Sequence, residues 1–279
     1  MSTVTISAAD VNKLRQQTGA GMMDCKKALT EANGDFEQAI DYLRKKGQKV
    51  AANRSDREAK EGYVIAKTSE DNTKGYVIAL NSETDFVAKN QEFVNFAEEI
   101  LTLAMQNDCN SADEVKALKL GDATVNDRLF DMIGKIGEKL EISSYERISA
   151  PRVIVYNHPG NKLAAMIGVS KADVANIDDI ARNVAMQTAA MNPVAIDKGD
   201  VDTKMLEREL EIGRDVARNE GKPEEMVEKI AQGKLNKFYQ ESTLLNQAYI
   251  KEDKQTVRQY LTSIDKDLTI SAMKRVQIG

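Results

Sequence analysis

One strand–turn–strand–helix pattern occurs twice in this chain, and that repetition limits what the chain can fold into. In the first copy, Gly62-Tyr63-Val64-Ile65-Ala66-Lys67 and Gly75-Tyr76-Val77-Ile78-Ala79-Leu80 flank a turn containing Asp71-Asn72-Thr73. A helical pattern follows, with Phe93, Phe96, Ala97, Ile100, Leu103 and Ala104 along one side. In the second copy, Val153-Ile154-Val155-Tyr156 and Leu163-Ala164-Ala165-Met166-Ile167-Gly168-Val169 flank His158-Pro159-Gly160-Asn161-Lys162. A helix carrying Ile180, Ala181, Val184 and Thr188 then stops near Asn192-Pro193. Phe96-Ala97 and Ile100 line up with Ile180-Ala181 and Val184. Two copies are too few for a solenoid. The pattern therefore predicts a duplicated α+β core with small antiparallel sheets, in halves at 62–145 and 146–279.

Residues 1–47 form a separate helical unit. Ser7-Ala8-Ala9-Asp10 is a capping box with Asp in place of Glu, and Ile6 with Val11 suits a hydrophobic staple. That first helix runs through Leu14 and stops at Thr18-Gly19-Ala20-Gly21. A second carries Met22, Cys25, Ala28, Leu29 and Ala32 and ends at Asn33-Gly34. Asp35 opens a third, holding Phe36, Ala39, Ile40 and Leu43, with Arg44, Lys45 and Lys46 placed to complement its C-terminal dipole before Gly47. Residues 48–61 turn polar and read as a linker or a solvated helical extension. Within the second core half, residues 202–238 read as an inserted antiparallel helical hairpin. Met205, Leu206, Leu210, Ile212, Val216 and Ala217 lie on one arm, and Met226, Val227, Ile230, Ala231 and Phe238 on the other. Two helices alone cannot bury both stripes, so the leftover apolar edge either packs on the core or serves a homodimer. A short helix near Lys254 to Leu261 and an alternating strand with Ile270, Ala272, Val276 and Ile278 close the chain.

A search for reaction chemistry finds little. The 279 residues contain one histidine, His158, no tryptophan and two isolated cysteines, Cys25 and Cys109. No zinc-type spacing and no nucleophile motif is present, and Thr18-Gly19-Ala20-Gly21 lacks the glycine-lysine-hydroxyl ending of a phosphate loop. No cofactor or metal is expected. A formal charge of −5 with both signs interspersed argues against direct nucleic-acid binding. The longest apolar stretches fall short of a membrane span. Met1-Ser2-Thr3-Val4-Thr5-Ile6 lacks the basic start and apolar core of a signal peptide, and two cysteines make no disulfide framework, so a cytoplasmic setting is expected.

What stands out instead are candidate binding features. Asn81-Ser82-Glu83-Thr84-Asp85-Phe86-Val87-Ala88-Lys89-Asn90 joins an apolar strand to a helix and sets a large aromatic in polar surroundings. Such a loop either tucks its aromatic under the next helix or offers it to a partner. The Met22-Met23 pair at a loop-to-helix junction has the adaptable character common at binding surfaces. Together these favour an interaction protein over an enzyme.

Leu14-Arg15-Gln16-Gln17-Thr18-Gly19-Ala20-Gly21-Met22-Met23-Asp24-Cys25-Lys26-Lys27-Ala28-Leu29 closely resembles the start of bacterial elongation factor Ts. Thr84-Asp85-Phe86-Val87-Ala88-Lys89-Asn90 resembles that family's second signature. Ile133-Gly134-Lys135-Ile136-Gly137-Glu138, Tyr156-Asn157-His158, and Gly221-Lys222-Pro223 through Tyr239 match in order. The chain departs from the pattern at Ser82, where Cys is common, and at Ser242 and Ala248, where Val and Pro are usual. The resemblance implies a guanine-nucleotide exchange factor for the GDP-bound GTPase elongation factor Tu, with a ubiquitin-associated-like N-terminal bundle. It implies contacts to the GTPase from Arg15, Met22 and Met23, from the Thr84, Asp85, Phe86 and Val87 turn, and from His158. The rival expectation is a ubiquitin-associated-like adaptor without exchange activity, which would need only Met1 to Gly47.

Overall fold

The structure is a computed structural model describing residues 5–279. Met1-Ser2-Thr3-Val4, on which the expectation of no leader partly rests, lie outside the described residues. The protein is α+β, with helices set among small sheets. It divides into two compact units. One holds the described residues up to Ile65 together with Ile78–Glu146 and Gln277–Gly279, and the other holds Ala66–Val77 and Arg147–Val276.

The first unit begins with α1 (Ala8–Thr18), α2 (Met22–Glu31) and α3 (Phe36–Asn53). The capping box forms as spelled: the Ser7 hydroxyl accepts from the Asp10 amide, and the Asp10 carboxylate accepts from the Ser7 amide. Gly19 ends α1 in the left-handed region, and Asp35 caps α3 by accepting from the Gln38 amide at 3.0 Å. Leu14, Cys25, Ala28, Leu29 and Ala39 are fully buried among the three helices. Strands β1 (Glu61–Thr68) and β2 (Lys74–Ser82) follow, each lying partly in both units. Beyond them come α4 (Asp85–Ala88), α5 (Gln91–Gln106), α6 (Ala112–Ala117), the short pair β3 (Lys119–Leu120) and β4 (Ala123–Thr124), α7 (Val125–Ile136) and β5 (Leu140–Ser149). The first sheet has the order β1-β2-β5.

The second unit contains β6 (Arg152–Asn157), β7 (Leu163–Val169), α8 (Ile177–Met191), α9 (Thr203–Asn219), α10 (Glu224–Ser242), the pair β8 (Ala248–Tyr249) and β9 (Glu252–Thr256), α11 (Val257–Ile264) and β10 (Ile270–Gln277). Strands β6 and β7 pair antiparallel, from Arg152 opposite Val169 to Asn157 opposite Ala164, and the sheet has the order β10-β7-β6. In both three-stranded sheets, the late strand pairs with the second strand of the pair that precedes the helix. Val169, Ala181, Val184, Leu244 and Leu261 form the centre of this unit's core. Helices α9 and α10 meet along small residues, Gly213 against Ala231, where an added Cβ on Gly213 would lie 3.0 Å from the Ala231 Cα.

The end of the third helix differs from expectation, while the helical-extension reading of residues 48–61 holds in part. Helix α3 does not stop at Gly47 but runs to Asn53, so part of the polar 48–61 stretch is helical. Gly47 is a packing residue. A Cβ there would sit 2.1 Å from the Phe130 carbonyl oxygen, and Gly134 on α7 faces it, so the two backbones touch where α3 meets α7. The basic run lies mid-helix instead, with Arg44 paired to Asp131 at 3.2 Å and Lys46 to Asp24 at 2.5 Å. In an open helix interior, Gly→Ala stabilises by up to ~1 kcal/mol. At this crossing the sign reverses: Gly47→Ala should lower stability by about 1–3 kcal/mol through overpacking. Urea unfolding checks this, and an unchanged or raised midpoint would contradict the close crossing.

Candidate functional site

The prominent surface feature of the first unit begins at the end of β2, nearly all of whose residues are buried. Asn81, itself buried, donates its side-chain amide to the Ala59 carbonyl at 2.8 Å and accepts from the Ser143 hydroxyl at 2.6 Å. Ser82 is fully buried, and its hydroxyl donates to the Thr84 carbonyl at 2.9 Å, so the family departure at this position contributes to the bend. Thr84 stands at the N-cap of α4 but does not cap it with its side chain. Its hydroxyl and its amide both donate to the Glu138 carboxylate instead, at 2.7 and 3.1 Å.

The four-residue helix α4 therefore hangs from the strand end by polar ties. Asp85 lies in its first turn, where a negative charge suits the helix dipole, and pairs with Lys89 at 2.6 Å. Ala88 is buried. Residues two apart on a helix lie roughly 200° apart around the axis, so burying Ala88 turns Phe86 outward. Phe86 is 83 % exposed. Of the two outcomes that the residues allow, the tucked aromatic is ruled out for the free chain. Thr84, Asp85 and Val87 on the same turn are half-buried.

Glu83 secures the base of this turn. Its carboxylate accepts from the Arg54 guanidinium at 2.7 and 2.9 Å and from the Lys139 amide at 2.6 Å. Burial alone would raise its carboxyl, but the Lys139 amide and the Arg54 guanidinium outweigh that and hold it below the ordinary glutamate range. Neither Glu83 nor Arg54 is marked by periodicity, because they meet across 29 positions of sequence. Glu138 did carry a signal, since it ends one of the blocks matching the resembled family.

Arg15, Met22 and Met23 lie on α1 and α2 of the same unit, and all three are exposed. Met22 and Met23 are the first two residues of α2, following Gly21, which offers no side-chain cap. They are 51 % and 75 % exposed, in contrast to Cys25, Ala28 and Leu29 further along the same helix, which are buried. His158 belongs to the second unit, exposed in the β6–β7 turn, where its Nδ1 lies 3.0 Å from the Tyr156 hydroxyl and its amide donates to the Leu163 carbonyl. Met205, Ile212 and Met226 are exposed on the α9–α10 pair. Ser242 and Ala248, the other departures, take part through backbone: the Ser242 carbonyl accepts from the Val194 amide, and Ala248 pairs with Thr256.

Among the described residues, no group of three or more His, Cys, Asp or Glu side chains could hold a metal ion. No helix among them is long and apolar enough to cross a membrane. A cavity of about 540 Å³ beside α3 and α7 is lined by charges of both signs, among them the paired Arg44 and Asp131.

A braced aromatic and an adaptable methionine pair, both turned to solvent, are features common at surfaces that bind another macromolecule. The chain belongs to the elongation factor Ts family, whose sequence model, described as Elongation factor TS, matches residues 83–279. It is 52 % identical over 276 residues to an elongation factor Ts of Flavobacterium psychrophilum, covering 99 % of each chain. It is 50 % identical over 274 residues to that of Christiangramia forsetii, covering 98 % of this chain and 99 % of the relative. It is 46 % identical over 279 residues to that of Porphyromonas gingivalis, covering 99 % of each. These matches run almost end to end, whereas the adaptor alternative needed only the first helical unit.

The Glu83 clamp has a pH signature. A carboxyl depressed in the folded state stabilises above its unfolded value of about 4.3 and loses that contribution as pH falls through the folded value. Glu83→Gln should cost about 1–3 kcal/mol at neutral pH, in the range of hydrogen bonds to charged groups. The gap between wild type and variant should narrow as pH falls below the unfolded value and through the lower folded one. Urea unfolding across pH 3–7 measures both, and a gap that persists unchanged in acid would contradict the clamp.

Proposed function

We propose that this chain, a guanine-nucleotide exchange factor for elongation factor Tu, drives GDP release by inserting Phe86 into the GTPase beside its magnesium and phosphate site. The observation that carries this reading is the exposure of Phe86 on a turn already held by Ser82, Glu83, Thr84 and Glu138. An exposed aromatic forgoes the stabilisation that burial would give, and one on an ordered turn loses little entropy on binding.

In this reading α1–α3 are a ubiquitin-associated-like bundle that grips the nucleotide-binding domain of the GTPase through Arg15, Met22 and Met23. The sheets and their helices make the two halves of a duplicated core, and α9–α10 are an insertion. Thr84, Asp85 and Val87 flank the wedge, and His158 reaches the same domain. The working compartment is the cytoplasm.

The physics is reciprocal coupling. If the factor weakens GDP binding by some factor, GDP weakens binding of the factor equally. The factor need not touch GDP. It has only to bind better to the GTPase conformation in which the magnesium and β-phosphate contacts are lost. Each ~1.4 kcal/mol by which the release barrier falls speeds release about tenfold. No bond is made or broken in this chain.

Release of fluorescent GDP from the GTPase tests this. Wild type should accelerate release, whereas Phe86→Ala, and separately Met22→Ala/Met23→Ala, should each lose about tenfold or more, as expected of truncated contact anchors. Wild-type behaviour of Phe86→Ala alone would remove the wedge and leave exchange standing.

A further inference from the structure

We propose that Met22 and Met23 form an oxidant-sensitive modification site, whose conversion to sulfoxides by a peroxide weakens the hold of this chain on its GTPase. Reduction of the sulfoxides restores that hold. The inference rests on the reading of this pair as part of the contact surface.

Access of oxidant decides which of the chain's sulfur atoms react. Cys25 and Cys109 are free and buried, and burial pushes both thiols up, so little thiolate is available to react. A thioether needs no ionisation, only access. Among the described residues five methionines are exposed: Met22, Met23, Met191, Met205 and Met226. Met23 and Met22 stand furthest into solvent of these, while Met132 and Met166 are buried. The two most accessible sulfur side chains among the described residues are thus adjacent, on the first turn of one helix.

The chemistry is balanced by the peroxide itself. A lone pair on Sδ attacks one oxygen of hydrogen peroxide, the O–O bond breaks, and sulfur is oxidised by two electrons as it keeps that oxygen. The other oxygen leaves as water after proton transfer. One thioether and one peroxide give one sulfoxide and one water, and methionine sulfoxide reductases reverse the change.

Modification here spares the fold. Neither methionine belongs to the buried cluster of Val11, Leu14, Cys25, Ala28 and Leu29 that holds the three helices together. A contact surface responds differently, because an apolar, deformable side chain becomes polar and chiral. Its new oxygen loses water on binding without a partner built to receive it. A penalty of that kind corresponds to roughly ten- to hundredfold in affinity.

The test uses the full chain. It is treated with hydrogen peroxide, the peroxide is removed with catalase, and the sulfoxides are mapped by mass spectrometry. Each treated sample is then compared with its own untreated sample in the GDP-release measurement. In wild type, the concentration giving half-maximal acceleration should rise tenfold or more, the melting temperature should hold, and reductase treatment should restore the activity. In Met22→Leu/Met23→Leu, the treated-to-untreated ratio should stay near one. Undiminished activity in wild type carrying both sulfoxides would overturn the proposal, as would an equal loss in the leucine variant. If untreated wild type fails to accelerate release, the exchange reading falls first and takes this inference with it.

Discussion

Strand β2 fixes where the Phe86 turn leaves the core of the first unit. It is the middle strand of its sheet, hydrogen-bonded on one side to β1 and on the other to β5, and it is buried from Gly75 to Ser82. A strand covered that fully has its register fixed, because a slip of one residue would reverse every side chain. The neighbouring strand shows how tight the fit is. Gly62 has a φ of +147°, and a Cβ there would lie 2.2 Å from the Leu80 carbonyl oxygen. Residues that follow directly on β2 inherit that rigidity. The polar side chains of Asn81 and Ser82 are the last buried ones, and within a few residues the chain goes from full burial to the exposed Phe86.

The polar ties at this bend do what apolar packing cannot do for an exposed side chain. Glu83 and Glu138 accept several hydrogen bonds, from a guanidinium, a hydroxyl and two main-chain amides. Such charge-assisted bonds are directional and fix an orientation as well as a distance. They also join segments far apart in sequence: Arg54 at the end of α3, the turn itself, and Lys139 just ahead of β5. The Phe86 turn is thus held in place in the free chain, which in the proposed reading limits the ordering cost of association.

Much of this was legible in the sequence, for identifiable reasons. The strand pairs and the helices around Phe96 and Val184 follow from short-range periodicity, and the caps at Ser7 and Asp35 from local side-chain chemistry. What was not legible depends on tertiary contact. Gly47 reads as a helix stop because glycine usually is one, and only the nearness of Phe130 and Gly134 shows it to be a crossing point. The short β3–β4 pair and α6 lack enough residues to show a period. Phe86 sits in a stretch where periodicity gives no direction, so its exposure had to come from the ties at Thr84 and the burial of Ala88. The partner and the exchange role came from motif resemblance, to which near-full-length relatives have since given support.

The central claim is that Phe86 stands in solvent in the free chain and enters the GTPase during exchange. The chain has no tryptophan, so Phe86→Trp labelled with 5-fluorotryptophan gives a single ¹⁹F resonance. In the free chain that resonance should sit at a solvent-exposed shift and respond to replacing H₂O with D₂O. Addition of the GDP-bound GTPase should shield it, in step with nucleotide release. A resonance already shielded in the free chain, or one that remains solvent-accessible in the complex while GDP is released, would contradict a presented wedge.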